Sequence, residues 1–210
     1  MIKVNATVAG SVTRAAQQRT DKNGQDYMSM VISTQIPSQE GEPTAIEVLV
    51  IQREYTKADL DTCQVGSRIE VTGVMNLRKK QDEVQYYLDA TRLKYLIPKT
   101  PDKVIGEMEF TGRMKKDSTV EERQGKNGQT FRTFSAYSYE KVGQDEYTYI
   151  WVDFARFLEK EATPEPIPEW LTGGARIKVK GQLRLHSYNG RVKISCRISE
   201  IEQDMTNKTE

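Results

Sequence analysis

The chain has 210 residues and a mass of 24.0 kDa, enough for one large core or two of about 100 residues each. Its 31 Lys and Arg face 30 Asp and Glu, so bulk charge attracts no polyanion and only local clustering can argue for one. With 37% hydrophobic and 29% charged residues the composition fits small domains with long polar loops, and the regular alternation along the chain excludes wholesale disorder.

Met1 to Gly10 alternates Ile2, Val4, Ala6 and Val8 before a glycine, the period of a half-buried strand. A polar, basic stretch from Ser11 to Lys22 leads to the turn signal Asn23-Gly24. Asp26 to Thr34 reads as a second strand with Met28, Met30 and Ile32 inward, and Ala45 to Gln52 as a third. Tyr55 to Leu60 is a short helical candidate. Gly66 to Gly73 opens a fourth strand, Arg78 to Glu83 is a hydrophilic hairpin loop, and Tyr86 to Leu96 is a fifth strand. Ile97-Pro98-Lys99-Thr100-Pro101-Asp102 reads as a linker, because prolines and polar residues stop strands.

The order then repeats. Lys126-Asn127-Gly128-Gln129 reproduces Lys22-Asn23-Gly24-Gln25, and Gly174 to Gly181 shares G-x-R-I-x-V-x-G with Gly66 to Gly73. Phe131 to Ser138 matches the second strand and Tyr147 to Phe154 the third. Arg156 to Ala162 reads as a short helix again, followed by a proline-rich insertion from Pro164 to Pro168. Five strands with a helix between the third and fourth, used twice, is the strand order of the oligonucleotide-binding (OB) barrel. The expected fold is therefore all-β with short helices, as two tandem five-stranded OB-fold barrels. Residues 1–97 form the first, 98–106 a linker, 107–203 the second, and 204–210 a short polar tail. Gly73 and Gly181 sit mid-strand, where a barrel bends and a side chain would clash.

The densest chemical signal lies between Leu171 and Ser199, which hold seven Lys or Arg and no acid. Ile177, Val179 and Leu183 alternate with Arg176, Lys178, Lys180, Gln182 and Arg184; Asn189-Gly190 then turns the chain into Val192, Ile194, Cys196 and Ile198. This is a ribbon with an apolar underside and a cationic top. Aromatics are lopsided as well: five in residues 1–103 and twelve in 104–210. In Tyr147 to Phe154, alternation sends Ile150, Val152 and Phe154 inward and Tyr147, Tyr149 and Trp151 outward. Phe134, Ala136 and Ser138 form the inner set of the preceding strand and leave Phe131, Tyr137 and Tyr139 outside. Exposed aromatic rows with cations beside them are what single strands need, for stacking and for phosphate neutralisation. The candidate binding residues are thus Phe131, Tyr137, Tyr139, Tyr147, Tyr149, Trp151, Lys178, Lys180, Arg184, Tyr188 at the hairpin tip, Arg191 and Lys193. Tyr27, Arg78, Lys79 and Lys80 join them from the first half, and the second barrel is expected to bind more strongly.

Several of these segments resemble the bacterial single-stranded-DNA-binding protein family, in a form with two OB-folds per chain. K-V-x-A-x-V-x-G at Lys3 to Gly10 is similar to its opening strand, and Asn127-Gly128 followed by F-x-x-F-S-A-Y-S to its second. Trp151 to Leu158, W-V-D-F-A-R-F-L, resembles its third strand entering the helix, and G-x-x-I-x-V-x-G-Q-L-R at Gly174 to Arg184 matches best. The resemblance implies single-stranded DNA as partner, roles in replication, recombination or repair, a homodimer giving four OB-folds, no cofactor and no catalysis. It also implies a DNA-contacting phenylalanine at Phe154, where alternation places a core residue. The family typically closes with an acidic tip ending in proline and phenylalanine that recruits replication enzymes. Gln203 to Glu210 differs from that pattern, so recruitment by this route is not expected.

The rival reading is an OB-fold interaction and assembly module whose aromatic stripe is a subunit interface. An enzyme is disfavoured: one histidine, His186, and two distant cysteines make no zinc centre, no nucleophile–base pair is evident, and no Walker or Rossmann glycine loop appears. Cys63 and Cys196 are expected as free buried thiols, and Glu121-Glu122 as solvated loop acids. No membrane-spanning run and no signal-peptide core is present, so a cytoplasmic protein without a membrane partner is expected. Nothing separates DNA from single-stranded RNA, because stacking ignores the 2′-hydroxyl.

Overall fold

Strands make up 66% of the described residues and helix 3%. The computed structural model describes residues 1–81, 83–158 and 166–206, which fall into two compact units. The N-terminal unit comprises Lys3–Gly106 with Leu185–Val192; the C-terminal unit comprises Met1–Ile2, Glu107–Arg184 and Lys193–Glu210.

In the N-terminal unit the strands are β1 (Ile2–Thr20), β2 (Asp26–Ile36), β3 (Thr44–Gln52), β4 (Arg68–Lys80) and β5 (Glu83–Tyr95), with helix α1 (Lys57–Thr62) between β3 and β4. They run in the order β2-β3-β5-β4-β1, and β1 pairs again with β2 to close a barrel. Only β3 and β5 pair in parallel; the other neighbours are antiparallel. Inward positions alternate as the period of two requires, burying Val4, Val8, Met28, Met30, Ile32, Val48, Val50, Val71 and Leu88. In α1, Thr56 Oγ1 accepts from the Asp59 amide at 3.2 Å while the Asp59 carboxylate accepts from the Thr56 amide at 2.8 Å, a reciprocal cap that starts the helix at Lys57.

The C-terminal unit carries β6 (Lys103–Met114), β7 (Glu121–Gln124), β8 (Thr130–Lys141), β9 (Tyr147–Phe157), β10 (Arg176–Tyr188) and β11 (Arg191–Gln203). The order β6-β10-β11-β9-β8 closes through a β6–β8 pairing, and β9 with β11 is the parallel pair. This repeats the first barrel strand for strand, the OB topology in both units. Its core is aromatic: Phe154 stands edge-on to Phe110 (4.9 Å) and stacks on Phe134 (5.2 Å).

The duplication reaches the hydrogen bonds. In the first turn the Asp21 amide donates to Gln25 O (2.9 Å) and the Gly24 amide to Asp21 O (3.0 Å), with Gly24 at φ 77°. In the second the Gly125 amide donates to Gln129 O (2.9 Å) and the Gly128 amide to Gly125 O (2.9 Å), with Gly128 at φ 76°. A Cβ on Gly73 would lie 2.0 Å from Asp89 O, and one on Gly181 2.1 Å from Arg197 O. Both glycines exist because a neighbouring backbone crosses where a side chain would stand.

Several expectations need correction. The basic stretch after Gly10, which carried no assigned element, extends the first strand: β1 continues to Thr20, paired to β2 with register irregularities between Val12 and Arg14 and between Arg14 and Gln17. Arg78 to Lys80 and Glu83 belong to β4 and β5, while Asp82 lies outside the described residues. The last residues of the expected linker, Lys103 to Gly106, already form β6. Glu121 and Glu122 sit in the edge strand β7, paired with β8. The second helix fails at its start: Arg156 and Phe157 are the end of β9, held by Arg132↔Arg156 and Phe131↔Phe157 pairing. Residues 159–162 of that segment, 164–165 of the proline-rich insertion and 207–210 of the tail lie outside the described residues. Cys63 and Cys196 are free and buried, and burial pushes the Cys196 thiol up to about 12.

Candidate nucleic-acid interface

The outward face of the C-terminal unit is built by β8, β9 and β11. Pairing of β8 with β9 sets Tyr139 opposite Tyr149, Tyr137 opposite Trp151, Ser135 opposite Asp153, Thr133 opposite Ala155 and Phe131 opposite Phe157. On the other side of β9, Ser195 of β11 stands opposite Asp153 and Arg197 opposite Ala155. Because side chains alternate, every one of these residues points away from the Phe110–Phe154 core.

Two aromatic clusters flank a gap of small side chains on this face. At one end Tyr137 tilts against Trp151 at 5.0 Å and meets Tyr149 edge-on at 5.5 Å, and Tyr139 meets Tyr147 edge-on at 5.9 Å. Tyr147, Tyr149 and Trp151 remain 45%, 44% and 49% exposed. Tilted and edge-on packing fixes the rings without covering their faces, so flat surface stays open to a base. At the other end Phe131 stacks on Phe157 at 5.4 Å, and the Arg197 guanidinium lies over Phe157 at 4.6 Å. Between them the Ser135 hydroxyl donates to Asp153 Oδ1 at 2.6 Å.

The cations divide. Arg176 and Lys178 both face the Asp204 carboxylate, at 3.2 and 3.5 Å, and that carboxylate is only 2% exposed. Bonds from the Thr206 hydroxyl and amide, then the two cations, outweigh burial and hold the Asp204 carboxyl down to about 2. Lys180 meets Glu200 at 3.5 Å. The cationic top is therefore not acid-free: Glu200 and Asp204 return along β11 to three of its members, just past the run that ends at Ser199. The Lys180 pair is largely solvated and weak, whereas the Asp204 pairs are shielded. Arg184 and Lys193 are exposed and make no ion pair among the described residues.

Phe154 is a correction. It is 1% exposed at the centre of the core, so no base can stack on it; alternation placed it rightly and the family resemblance did not. Tyr188 and Arg191 belong to the N-terminal unit, which includes Leu185–Val192. There the Ser187 amide donates to Pro37 O (2.9 Å), Gln39 N to Ser187 O (3.0 Å) and Asn189 N to Glu40 Oε2 (2.7 Å). Arg191 and Lys79 line a groove of about 1000 Å³ with Arg14, Val31, Leu49 and Tyr87, while Tyr27 lines a smaller one beside Arg14 and Arg19. Arg78 lies 5.7 Å over the Tyr87 ring, and Lys80 is exposed at the end of β4.

The N-terminal unit lacks the rings of Tyr137, Tyr149 and Trp151, although Tyr27 stands for Phe131 and Tyr87 for Ser195. The shared turn aligns Ser33 with Tyr137, and the β2–β3 pairing Ser33↔Glu47 then matches Tyr137↔Trp151. By the same register Ala45 stands for Tyr149, Leu49 for Asp153 and Asp89 for Arg197. Where one barrel presents rings and a guanidinium, the other presents Ala45, Glu47 and Asp89. Phe157 and Arg197 were missed as a stacked pair from sequence because a helix was assigned there; extending the Tyr147, Tyr149, Trp151 alternation three steps reaches Phe157.

No protein-family model matches the sequence, and no curated protein matches it. Solved structures do. The structural neighbours are single-stranded DNA-binding proteins. The wild-type protein from Thermus aquaticus is 14% identical, with 100% of this chain and 96% of that chain covered and a TM-score of 0.45. The small single-stranded DNA-binding protein from Streptomyces coelicolor is 14% identical over 45% of this chain and 93% of its own, TM-score 0.36. A mitochondrial one from S. cerevisiae is 21% identical over 49% and 96%, TM-score 0.35. No helix among the described residues is long and apolar enough to cross a membrane, and no cluster of three or more His, Cys, Asp or Glu side chains there could hold a metal.

Proposed function

We propose that the chain binds single-stranded DNA by stacking bases on the outward face of β8 and β9 and neutralising phosphates with Arg184, Lys193 and Arg197. The observation that carries this reading is the row Tyr147, Tyr149 and Trp151, each about half exposed on a strand whose inward face fills the core. A soluble barrel gains nothing in its own stability from leaving such rings in water. Stacking is sequence-tolerant and contributes roughly 1–3 kcal/mol per base, which suits binding with little overall sequence preference. The N-terminal unit, with Glu47 and Asp89 on the corresponding face, contributes weaker phosphate contacts through Arg14, Arg78 and Lys80. Pairing of two chains, and service in replication, recombination or repair, belong to the same proposal on the family resemblance alone; molar mass in solution checks the pairing.

The deciding experiment is a titration with poly-dT followed by tryptophan emission, with duplex DNA as control at low and moderate salt. Quenching by poly-dT, absent with duplex and lost in Trp151→Phe, which retains Trp170, is the expected result. Emission indifferent to every oligonucleotide would favour the rival, in which the aromatic row covers a partner subunit.

A further inference from the structure

Asp153 is the one acid among the outward residues of β8, β9 and β11 that flank the aromatic face, and it sits in the gap between the two ring clusters. A carboxylate there repels phosphate, so it suits a partner that turns a base edge, rather than its backbone, toward the sheet. Ser135 and Ser195, opposite Asp153 on either side, are small and leave space above it. Ser135 donates to Oδ1 at 2.6 Å and so holds that oxygen in place. Trp151 is two residues away, roughly 7 Å along the strand, so a base lying on its ring reaches Asp153 with its edge.

We propose, resting on the reading above, that Asp153 selects guanine at this one position of the bound strand. An ionised carboxylate only accepts hydrogen bonds, and two oxygens in one plane match two parallel donors. Guanine alone among the four bases offers such a pair, N1–H beside the N2 amino group. Cytosine and adenine set a ring-nitrogen acceptor beside their amino group, and thymine flanks its single N3–H with two carbonyls. Splayed single-stranded bases expose these edges to a protein. In the N-terminal unit Leu49 holds the equivalent place, so the selection belongs to one barrel.

The test uses the full chain and labelled oligonucleotides of roughly 16 nucleotides, the upper site size of one OB fold: all dT, dT with one central dG, and dT with one central deoxyinosine. The dG strand is expected to bind about fivefold tighter than all dT, the lower end of the discrimination a bidentate contact supplies. Deoxyinosine, which lacks the N2 amino group, should lose most of that gain. Asp153→Asn, which still accepts from Ser135, should bind dG and dT strands alike. Equal binding of dG and dT strands by the wild type, or a preference that survives in Asp153→Asn, overturns guanine selection and leaves single-strand binding standing. Failure of the wild type to bind any of the three strands overturns both.

Discussion

Trp151 and Phe154 lie three residues apart on β9 and do opposite work. Replacing Trp151 by alanine should weaken single-strand binding roughly 5- to 150-fold, the 1–3 kcal/mol of one stacked base, with little change in the denaturation midpoint. Phe154→Ala should instead cost about 3–5 kcal/mol of stability, read by urea unfolding, because Phe110 and Phe134 lose their shared neighbour. Asp204 is tested by pH. Its carboxyl is pulled from 3.8 to about 2 in the folded chain, so its stabilisation is complete above the unfolded value and fades as pH falls through the folded one. Wild type should therefore be more stable than Asp204→Asn at neutral pH, with the gap closing between about pH 4 and pH 2.

Among the elements, the turns and the mid-strand glycines were legible because each answers a local demand. Gly24 and Gly128 occupy positive φ in open space, whereas Gly73 and Gly181 face a backbone oxygen about 2 Å from where Cβ would stand. Gly73→Ala and Gly181→Ala, where Cβ would meet a backbone oxygen, should each cost at least the roughly 1–3 kcal/mol of overpacking, and more than Gly24→Ala, whose left-handed turn costs roughly 1–2 kcal/mol. Urea midpoints rank the three, and a costlier Gly24→Ala would mean the barrels tolerate a shifted strand. The segment after Phe154 was misread because A-R-F-L-E-K-E-A favours a helix locally. Pairing of Arg132 with Arg156 and Phe131 with Phe157 overrides that preference up to Phe157. The same error hid the Phe157–Arg197 pair from the site.

At the scale of the molecule, a net charge of +1 means that affinity for a polyanion must come from particular cations. Single-strand affinity should fall steeply with salt, the log–log slope losing about 0.7 for each phosphate contact removed. Arg184→Ala and Lys193→Ala should each lower the slope by about that amount in anisotropy titrations. Lys178→Ala, whose ammonium is held by the shielded Asp204, should leave it unchanged, and equal slopes in all three variants would show that the phosphates run elsewhere.

Alternation, two copied turns and a copied glycine-strand-glycine segment were enough to specify two five-stranded barrels, because burying one face of a strand fixes which residues point inward. They also separated the rings of β9 that face water from those that face the core. Which charges remain available was decided only in three dimensions. Antiparallel return brings Asp204 to Arg176 and Lys178 from more than twenty residues away, and no window along the chain contains that encounter. The placement of Asp153 in the gap, with Leu49 in its stead on the other barrel, likewise depends on cross-strand register, which pairs residues by geometry and not by their order along the chain.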